Sequence, residues 1–275
     1  EFSIDDCAIK INQIIKAECP DLVIVFGDCN TTVAGSVATR DTEASLVHIE
    51  SGLRCGNDQM IEEVNRIKTD QLSDILFCPC EQAVNNLYNE NIVNNVYNTG
   101  DIMYDLFSTY KAQFNIREFD FFYGMFTLHR KENLSRTKLK IRLDQISELK
   151  GYKLFFPIHP NTERLIDDYK ISIPSNVLKV KPMSWFDLMD YIKGCSFVIT
   201  DSGGLQKEAF WMKKPCVTIR EETEWVETIN FGVNVLLSYQ DSIEIPQFNS
   251  NFKNPYGDAK ASSKMIKHII NYIND

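Results

Sequence analysis

The sequence predicts an α/β protein made of two doubly wound, parallel-sheet domains. Short apolar runs rich in β-branched residues alternate with segments of helical periodicity, which is the pattern of repeated strand–helix units. The runs are largely continuous rather than alternating, as expected for parallel strands buried on both faces. The pattern occurs in two series, and 275 residues with 44% hydrophobic and 24% charged content suffice for two globular domains.

The first series opens with a strand that follows Pro20 and ends at Gly27-Asp28. The segment 62–72 places Val64, Ile67 and Leu72 on one face, which indicates a helix. We predict strands at residues 21–26, 46–49, 75–78 and 95–98, and helices at residues 30–39, 62–72 and 81–89.

The second series begins near Phe121 and ends before an amphipathic helix at residues 259–273. We predict strands at residues 122–127, 153–156, 177–180, 197–200 and 216–219, and helices at residues 138–149, 162–168, 185–193 and 205–212. We expect one domain at residues 1–110, with the helix of 258–275 packing back on it, and another at 111–257. Because sites in parallel sheets lie at the carboxyl ends of strands, we expect the site in the cleft between the domains.

Composition excludes several classes of function. The net charge of −9, from 29 basic and 38 acidic residues, argues against a nucleic-acid partner. No apolar run approaches the roughly 20 residues of a membrane span, so we expect no membrane insertion. The eight cysteines are scattered, and the close pair Cys78-Pro79-Cys80 lacks the spacing of a zinc site. We expect reduced thiols, no metal and a cytoplasmic location.

Polar side chains accumulate where the predicted strands end. Each such group alone is weak, because strand-to-helix loops are polar by default, but six groups together indicate a site. They are Gly27-Asp28, the run from Glu50 to Arg54, the run from His129 to Asn133, His159-Pro160-Asn161, the run from Asp201 to Gly204, and Arg220.

The loop Asp201-Ser202-Gly203-Gly204 precedes a predicted helix and is typical of an anion site. Glycines let the backbone approach a phosphate, and the helix supplies free N–H groups with a positive dipole end. Glu208 lies one turn into that helix, where it could accept from a ribose hydroxyl. The alternative is a tight turn with a Ser or Asp cap.

Carboxylates accumulate in the first series, where Asp28, Glu50 and either Glu62 or Glu63 are candidates. Their alternative roles are a helix cap for Asp28 and a solvated helix face for the glutamates. In the second series, His129 with Arg130 and Lys131 could contact a diphosphate, or form a capped surface turn.

These motifs together resemble the non-hydrolysing UDP-N-acetylglucosamine 2-epimerase family, whose fold is the two-domain Rossmann-like GT-B fold. The similarity runs in family order over nearly the whole chain. The matching stretches are residues 20–28, 48–54, 62–66, 127–133, 157–161, 200–208, 220–227 and 254–258.

The resemblance implies that UDP is eliminated from C1 as the C2 proton is removed, and that UDP adds back after reprotonation on the other face. By position it assigns catalysis to Asp28, Glu50, Glu62 and His129. For UDP binding we expect Arg130, His159, Leu188, Ser202, Gly203, Gly204, Glu208 and Arg220. It implies no cofactor and a homodimer, and it leaves open which carboxylate is the base.

The chain departs from the family pattern in three places: at its start, at Ile61, which stands where Pro is usual, and in a segment that bears on the substrate. The family's opening strand and glycine-containing loop do not precede Glu1, so we expect the first strands of the first domain to be missing. Lys207 and the segment Thr223-Glu224-Trp225-Val226-Glu227 resemble a branch acting on modified UDP-2-acetamido sugars, diacetamido-glucuronates and 6-deoxy-L-hexoses. The alternatives to an epimerase of UDP-N-acetylglucosamine are therefore such a modified-sugar epimerase, a GT-B glycosyltransferase or an inactive remnant.

Overall fold

The computed structural model describes residues 3–248 and 252–274, and the chain divides into two compact units. One unit comprises Glu1–Thr109 with Lys253–Asp275, and the other comprises Tyr110–Phe252. Both are built on parallel sheets with helices between the strands, so the predicted α/β class is confirmed. Among the described residues, no helix has the length and apolar content needed to cross a membrane.

The first unit contains a four-stranded parallel sheet in the sequential order β1-β2-β3-β4. Its strands are β1 (Leu22–Phe26), β2 (Ser45–Ile49), β3 (Ile75–Cys78) and β4 (Val96–Asn98). Its helices are α1 (Ile4–Glu18), α2 (Asn30–Thr39), α3 (Ile61–Leu72), α4 (Glu81–Asn89), α5 (Ile102–Tyr110), which ends at the unit boundary, and α11 (Ala261–Asn274).

Consecutive side chains of this sheet pack on opposite faces. Leu22 lies in a cluster with Met265 of the C-terminal helix α11, whereas Val23 lies in a cluster with α1 and α2. The chain therefore returns after the second unit to cover one face of the first sheet. Strand β1 is at the edge of the described sheet, and Phe26 is largely exposed there.

The second unit contains a six-stranded parallel sheet in the order β10-β9-β8-β5-β6-β7. Its strands are β5 (Tyr123–Thr127), β6 (Lys153–Pro157), β7 (Val177–Val180), β8 (Val198–Thr200), β9 (Cys216–Thr218) and β10 (Asn234–Leu236). Its helices are α6 (Arg136–Ser147), α7 (Pro160–Asp168), α8 (Trp185–Gly194), α9 (Gly203–Trp211) and α10 (Val226–Asn230).

The strand order of the second sheet reverses between β5 and β8. The chain proceeds from β5 to β7 on one side and then from β8 to β10 on the other, while β5 and β8 pair directly. In such sheets the loops after the two strands at the reversal lie toward opposite faces, and ligands bind in the crevice between them at the carboxyl ends. His129 and the Ser-Gly-Gly segment belong to these two loops.

Candidate active site

Asp28 and Glu50 follow two neighbouring strands of the first sheet. Strands β1 and β2 run parallel with Phe26 opposite Ile49, so the two carboxylates leave the sheet at the same edge. The N–H of Gly27 donates to the Ile49 carbonyl at 3.0 Å, which ties the two strand ends together. The structure therefore brings these two predicted residues to one end of one sheet.

Glu50 has a left-handed backbone, with φ of +74°. For a residue with a side chain this conformation costs about 1–3 kcal/mol and persists only where the surroundings impose it. Two hydrogen bonds impose it here, because the N–H groups of Glu50 and Ser51 both donate to the Phe77 carbonyl, at 3.2 and 3.1 Å. The strain points to a functional reason for the direction of this side chain.

Asp28 is held by helix α3. Its carboxylate forms an ion pair and hydrogen bond with the buried guanidinium of Arg66, and Asn65 Nδ2 donates to its carbonyl at 2.9 Å. The Asp28 side chain is 28% exposed, so one side of the carboxylate is held while another part faces solvent. This arrangement suits an ionised carboxylate of fixed orientation.

The adjacent glutamates of α3 have different surroundings; the residue pattern alone left both open, and the resemblance assigned Glu62 to catalysis. Glu63 is buried, and its carboxylate accepts from the backbone N–H groups of Cys55 and Gly56 at 2.9 to 3.1 Å. Glu63 therefore fixes the loop after β2. Glu62 lies in the same first turn but is partly exposed, which leaves it the better placed of the two for chemistry.

His129 follows β5 and is oriented by Asp201, which the sequence analysis placed in the anion loop without giving it a role of its own. Asp201 is fully buried, accepts from the backbone N–H of His129 and Arg130 at 2.9 and 2.8 Å, and pairs with His129 Nδ1 at 3.1 Å. The hydrogen bond to Asp201 raises the pKa of His129, and burial opposes it. The structure therefore favours a charged imidazole at this strand end.

The N-terminus of α9 is open at one glycine and crowded at the other. Ser202 caps the helix, with Oγ accepting from the Leu205 N–H at 3.4 Å. A methyl group on Gly203 would lie 2.6 Å from Glu224 Oε1, whereas one on Gly204 would meet nothing within 4 Å. The exposed backbone at Gly204 leaves room for an anion beside the helix dipole.

A cavity of about 310 Å³ opens beside this helix within the second unit. Its lining includes five of the predicted residues, namely His129, His159, Leu188, Ser202 and Glu208. At its wall, Trp185 Nε1 donates to Glu208 Oε1 at 2.6 Å, and Phe114 and Phe186 hold the indole edge-on. Trp185 was not among the predicted site residues, and its indole orients the Glu208 carboxylate.

Arg220 and Arg130 have different surroundings. Arg220 is mostly buried and pairs with Glu224 at 2.9 Å, beside Gly203. Arg130 is half-buried, and its backbone N–H is fixed by Asp201.

Across residues 3–248 and 252–274, no group of three His, Cys, Asp or Glu side chains is arranged to hold a metal ion.

The chain is similar to known proteins over nearly its whole length. The model of the UDP-N-acetylglucosamine 2-epimerase family matches residues 3–270. A UDP-N-acetylglucosamine 2-epimerase homolog of Methanococcus maripaludis is 35% identical, over 98% of this chain and 81% of its own length. The UDP-2,3-diacetamido-2,3-dideoxy-D-glucuronate 2-epimerase of Pseudomonas aeruginosa is 36% identical, over 95% of this chain and 78% of its own length.

A solved structure extends the similarity to three dimensions. The UDP-GlcNAc 2-epimerase of Methanocaldococcus jannaschii, solved in complex with UDP-GlcNAc and UDP, superposes with a TM-score of 0.83 at 28% sequence identity. The match covers 98% of this chain and 80% of that one.

Proposed function

The chain belongs to the UDP-N-acetylglucosamine 2-epimerase family, and from that premise we propose that it interconverts UDP-GlcNAc and UDP-ManNAc, or a closely related UDP-2-acetamido pair. The carboxylates at the carboxyl end of the first sheet carry the proposal, because inversion at C2 needs a base and an acid. Asp28 and Glu50 follow adjacent strands, and Glu62 lies in the first turn of α3, whose Arg66 holds Asp28.

The reaction breaks the C2–H bond and the C1–O bond to give a C1=C2 double bond. The base takes the proton from C2, and UDP leaves with the electron pair of the C1–O bond. A proton then adds to C2 from the other face, and UDP oxygen attacks C1 again. Asp28, Glu50 and Glu62 share the roles of base and acid, and the assignment of each role stays open.

The second unit supplies the binding of UDP in this proposal. His129, whose pKa the hydrogen bond to Asp201 raises, and the N-terminus of α9, with Ser202 and Gly204, suit the negative charge that develops on the leaving diphosphate. Glu208 suits the ribose hydroxyls, and Leu188 lines the cavity where a uracil ring would lie. Arg130, His159, Gly203 and Arg220 complete the proposed UDP-binding set.

The alternative substrate, a modified UDP-2-acetamido sugar, is suggested by residues of the second unit that depart from the usual family pattern. Lys207 is buried, with its ammonium 3.8 Å from the centre of the Trp225 ring. The two residues that depart from the usual family pattern therefore contact each other. The Pseudomonas aeruginosa relative named for a diacetamido-glucuronate makes that sugar the first alternative substrate to assay.

The test is proton NMR of the purified protein with UDP-GlcNAc in D2O. We expect deuterium at C2 together with a new manno-configured anomeric signal, and neither signal with Glu50→Gln. The same run with the UDP-diacetamido-glucuronate decides between the two substrates. Failure of both sugars to exchange the C2 proton contradicts the proposed function.

We also propose that the chain acts as a homodimer in the cytoplasm, as the family resemblance implies. Light scattering coupled to gel filtration measures the mass in solution. A monomer at assay concentrations contradicts the first part, and fractionation of the source cells tests the second.

A further inference from the structure

His48 lies inside the first unit, beneath the two loops that carry Asp28 and Glu50. It is the fourth residue of β2, and its side chain is fully buried. Nε2 lies 2.9 Å from the Gly27 carbonyl oxygen, and Nδ1 lies 2.6 Å from Asp70 Oδ1. The ring therefore joins the end of β1 to helix α3.

Both ring nitrogens of His48 face acceptors. A carbonyl oxygen cannot donate, so Nε2 must carry a proton. Asp70 Oδ2 accepts from the Gly52 N–H at 3.1 Å and pairs with Arg54 Nη1 at 2.8 Å, so its carboxylate is placed to be ionised. Burial alone would raise the pKa of Asp70, but His48 and Arg54 lower it. Nδ1 must then donate to Asp70, and the ring carries both protons.

The charges around His48 alternate in sign. Asp70 stands between His48 and Arg54, and Arg54 in turn makes two hydrogen bonds of 2.7 Å with Glu90 at the end of α4. A buried cation is costly unless it is paired and hydrogen-bonded, and this chain of ion pairs meets both conditions. Another titratable side chain close to Asp70 is the thiol of Cys78, whose pKa burial raises to about 12, so that it stays neutral.

The network ends on the backbone on both sides of the proposed catalytic carboxylates. His48 holds the carbonyl of Gly27, which precedes Asp28, and Asp70 holds the N–H of Gly52, two residues after Glu50. We propose that His48 is a buried imidazolium that acts as a positioning residue, fixing the loops of Asp28 and Glu50 relative to each other. Its charge state is independent of the function proposed above, whereas its effect on turnover rests on that function.

The charge state is tested on the unaltered protein by long-range proton–nitrogen NMR of the four histidine rings. We expect one ring to carry a proton on each nitrogen, as its two acceptors require. Single replacements of His129, His159 and His268 by Gln assign the other three rings and leave His48 by elimination. A tautomer of His48 with one unprotonated ring nitrogen overturns the proposal.

The positioning role is tested with two variants, His48→Asn and His48→Gln, in which an amide side chain replaces the imidazole. The Gln nitrogen can take the place of Nε2 and keep the bond to Gly27, whereas the Asn nitrogen takes the place of Nδ1 and keeps only the contact with Asp70. We expect His48→Asn to lower kcat by about tenfold or more, and His48→Gln to lower it less, because small displacements of reacting groups are costly. The Kd for UDP should be unchanged in both, since the proposed UDP-binding residues belong to the second unit.

The outcomes separate the possible failures. Equal loss of kcat in the two variants, or a matching loss of UDP affinity, overturns the positioning role. His268→Gln is the control, because His268 stacks on Tyr97 and has no role in the proposed reaction, so this variant should retain full turnover. Absence of C2 exchange in the unaltered protein contradicts the epimerase proposal and leaves the NMR result on His48 standing.

Discussion

At the scale of single residues, the contact between His129 and Asp201 leads us to expect that the rate of C2 exchange depends on pH. Asp201 raises the pKa of His129, so the imidazolium persists to higher pH than in an ordinary histidine. If this cation stabilises the leaving diphosphate, kcat/KM should fall as pH rises through that pKa. Asp201→Asn should move the fall to lower pH, which a pH profile of C2 exchange measures. If kcat/KM of Asp201→Asn falls at the same pH as that of the unaltered protein, Asp201 does not set the pKa that controls activity.

The indole of Trp185 gives a second prediction at this scale. Trp185→Phe keeps an aromatic ring in the cluster with Phe114 but removes the N–H that orients Glu208. A hydrogen bond to a charged group is worth about 1.5–3 kcal/mol, so we expect UDP to bind roughly tenfold more weakly. Titration calorimetry measures the loss, with Trp211→Phe as the matched control. Equal affinity in the two variants contradicts the role of Trp185.

At the scale of an element, the start of α9 offers a matched pair of glycines. Gly203→Ala must displace Glu224 from its ion pair with Arg220, so it should lower the free energy of unfolding by about 1–3 kcal/mol. Gly204→Ala meets open space and should leave stability unchanged, yet its methyl group would occupy the proposed phosphate site. Thermal unfolding and UDP titration separate the two effects. Tight UDP binding by Gly204→Ala contradicts a phosphate at this position.

Most of the secondary-structure elements could be predicted from the single sequence. The nine predicted strands are present as β1 to β9, with ends within one residue, because continuous apolar runs between Gly, Pro and Asn are unambiguous. Helix α1 was not predicted, although Ser3 caps it and Ala8 and Ile15 face α2. Strand β10 was also not predicted.

The sequence predicts which residue types lie at the strand ends, but it does not predict which of these side chains contact each other. Asp201 meets His129 across 72 positions, and Asp70 meets His48 across 22, and no local pattern announces either contact. The choice between Glu62 and Glu63 likewise depends on which side chain turns toward the loop at Cys55. Such pairings follow from strand order and register, which tertiary structure decides.

At the scale of the whole molecule, the two units should respond differently to parts of the substrate. UDP alone should slow hydrogen exchange in the loops after β5 and β8, where His129 and the start of α9 lie. Some amides exchange only when the whole second unit unfolds. UDP at about a hundred times its Kd should slow the exchange of these amides by about a hundredfold. If Asp28 and Glu50 act on C2 as proposed, the complete UDP-sugar should also slow exchange in the loops after β1 and β2. Hydrogen exchange with mass spectrometry measures both, with Glu50→Gln preventing turnover. Protection by the UDP-sugar that stays confined to the second unit would show that Asp28 and Glu50 do not act on this substrate.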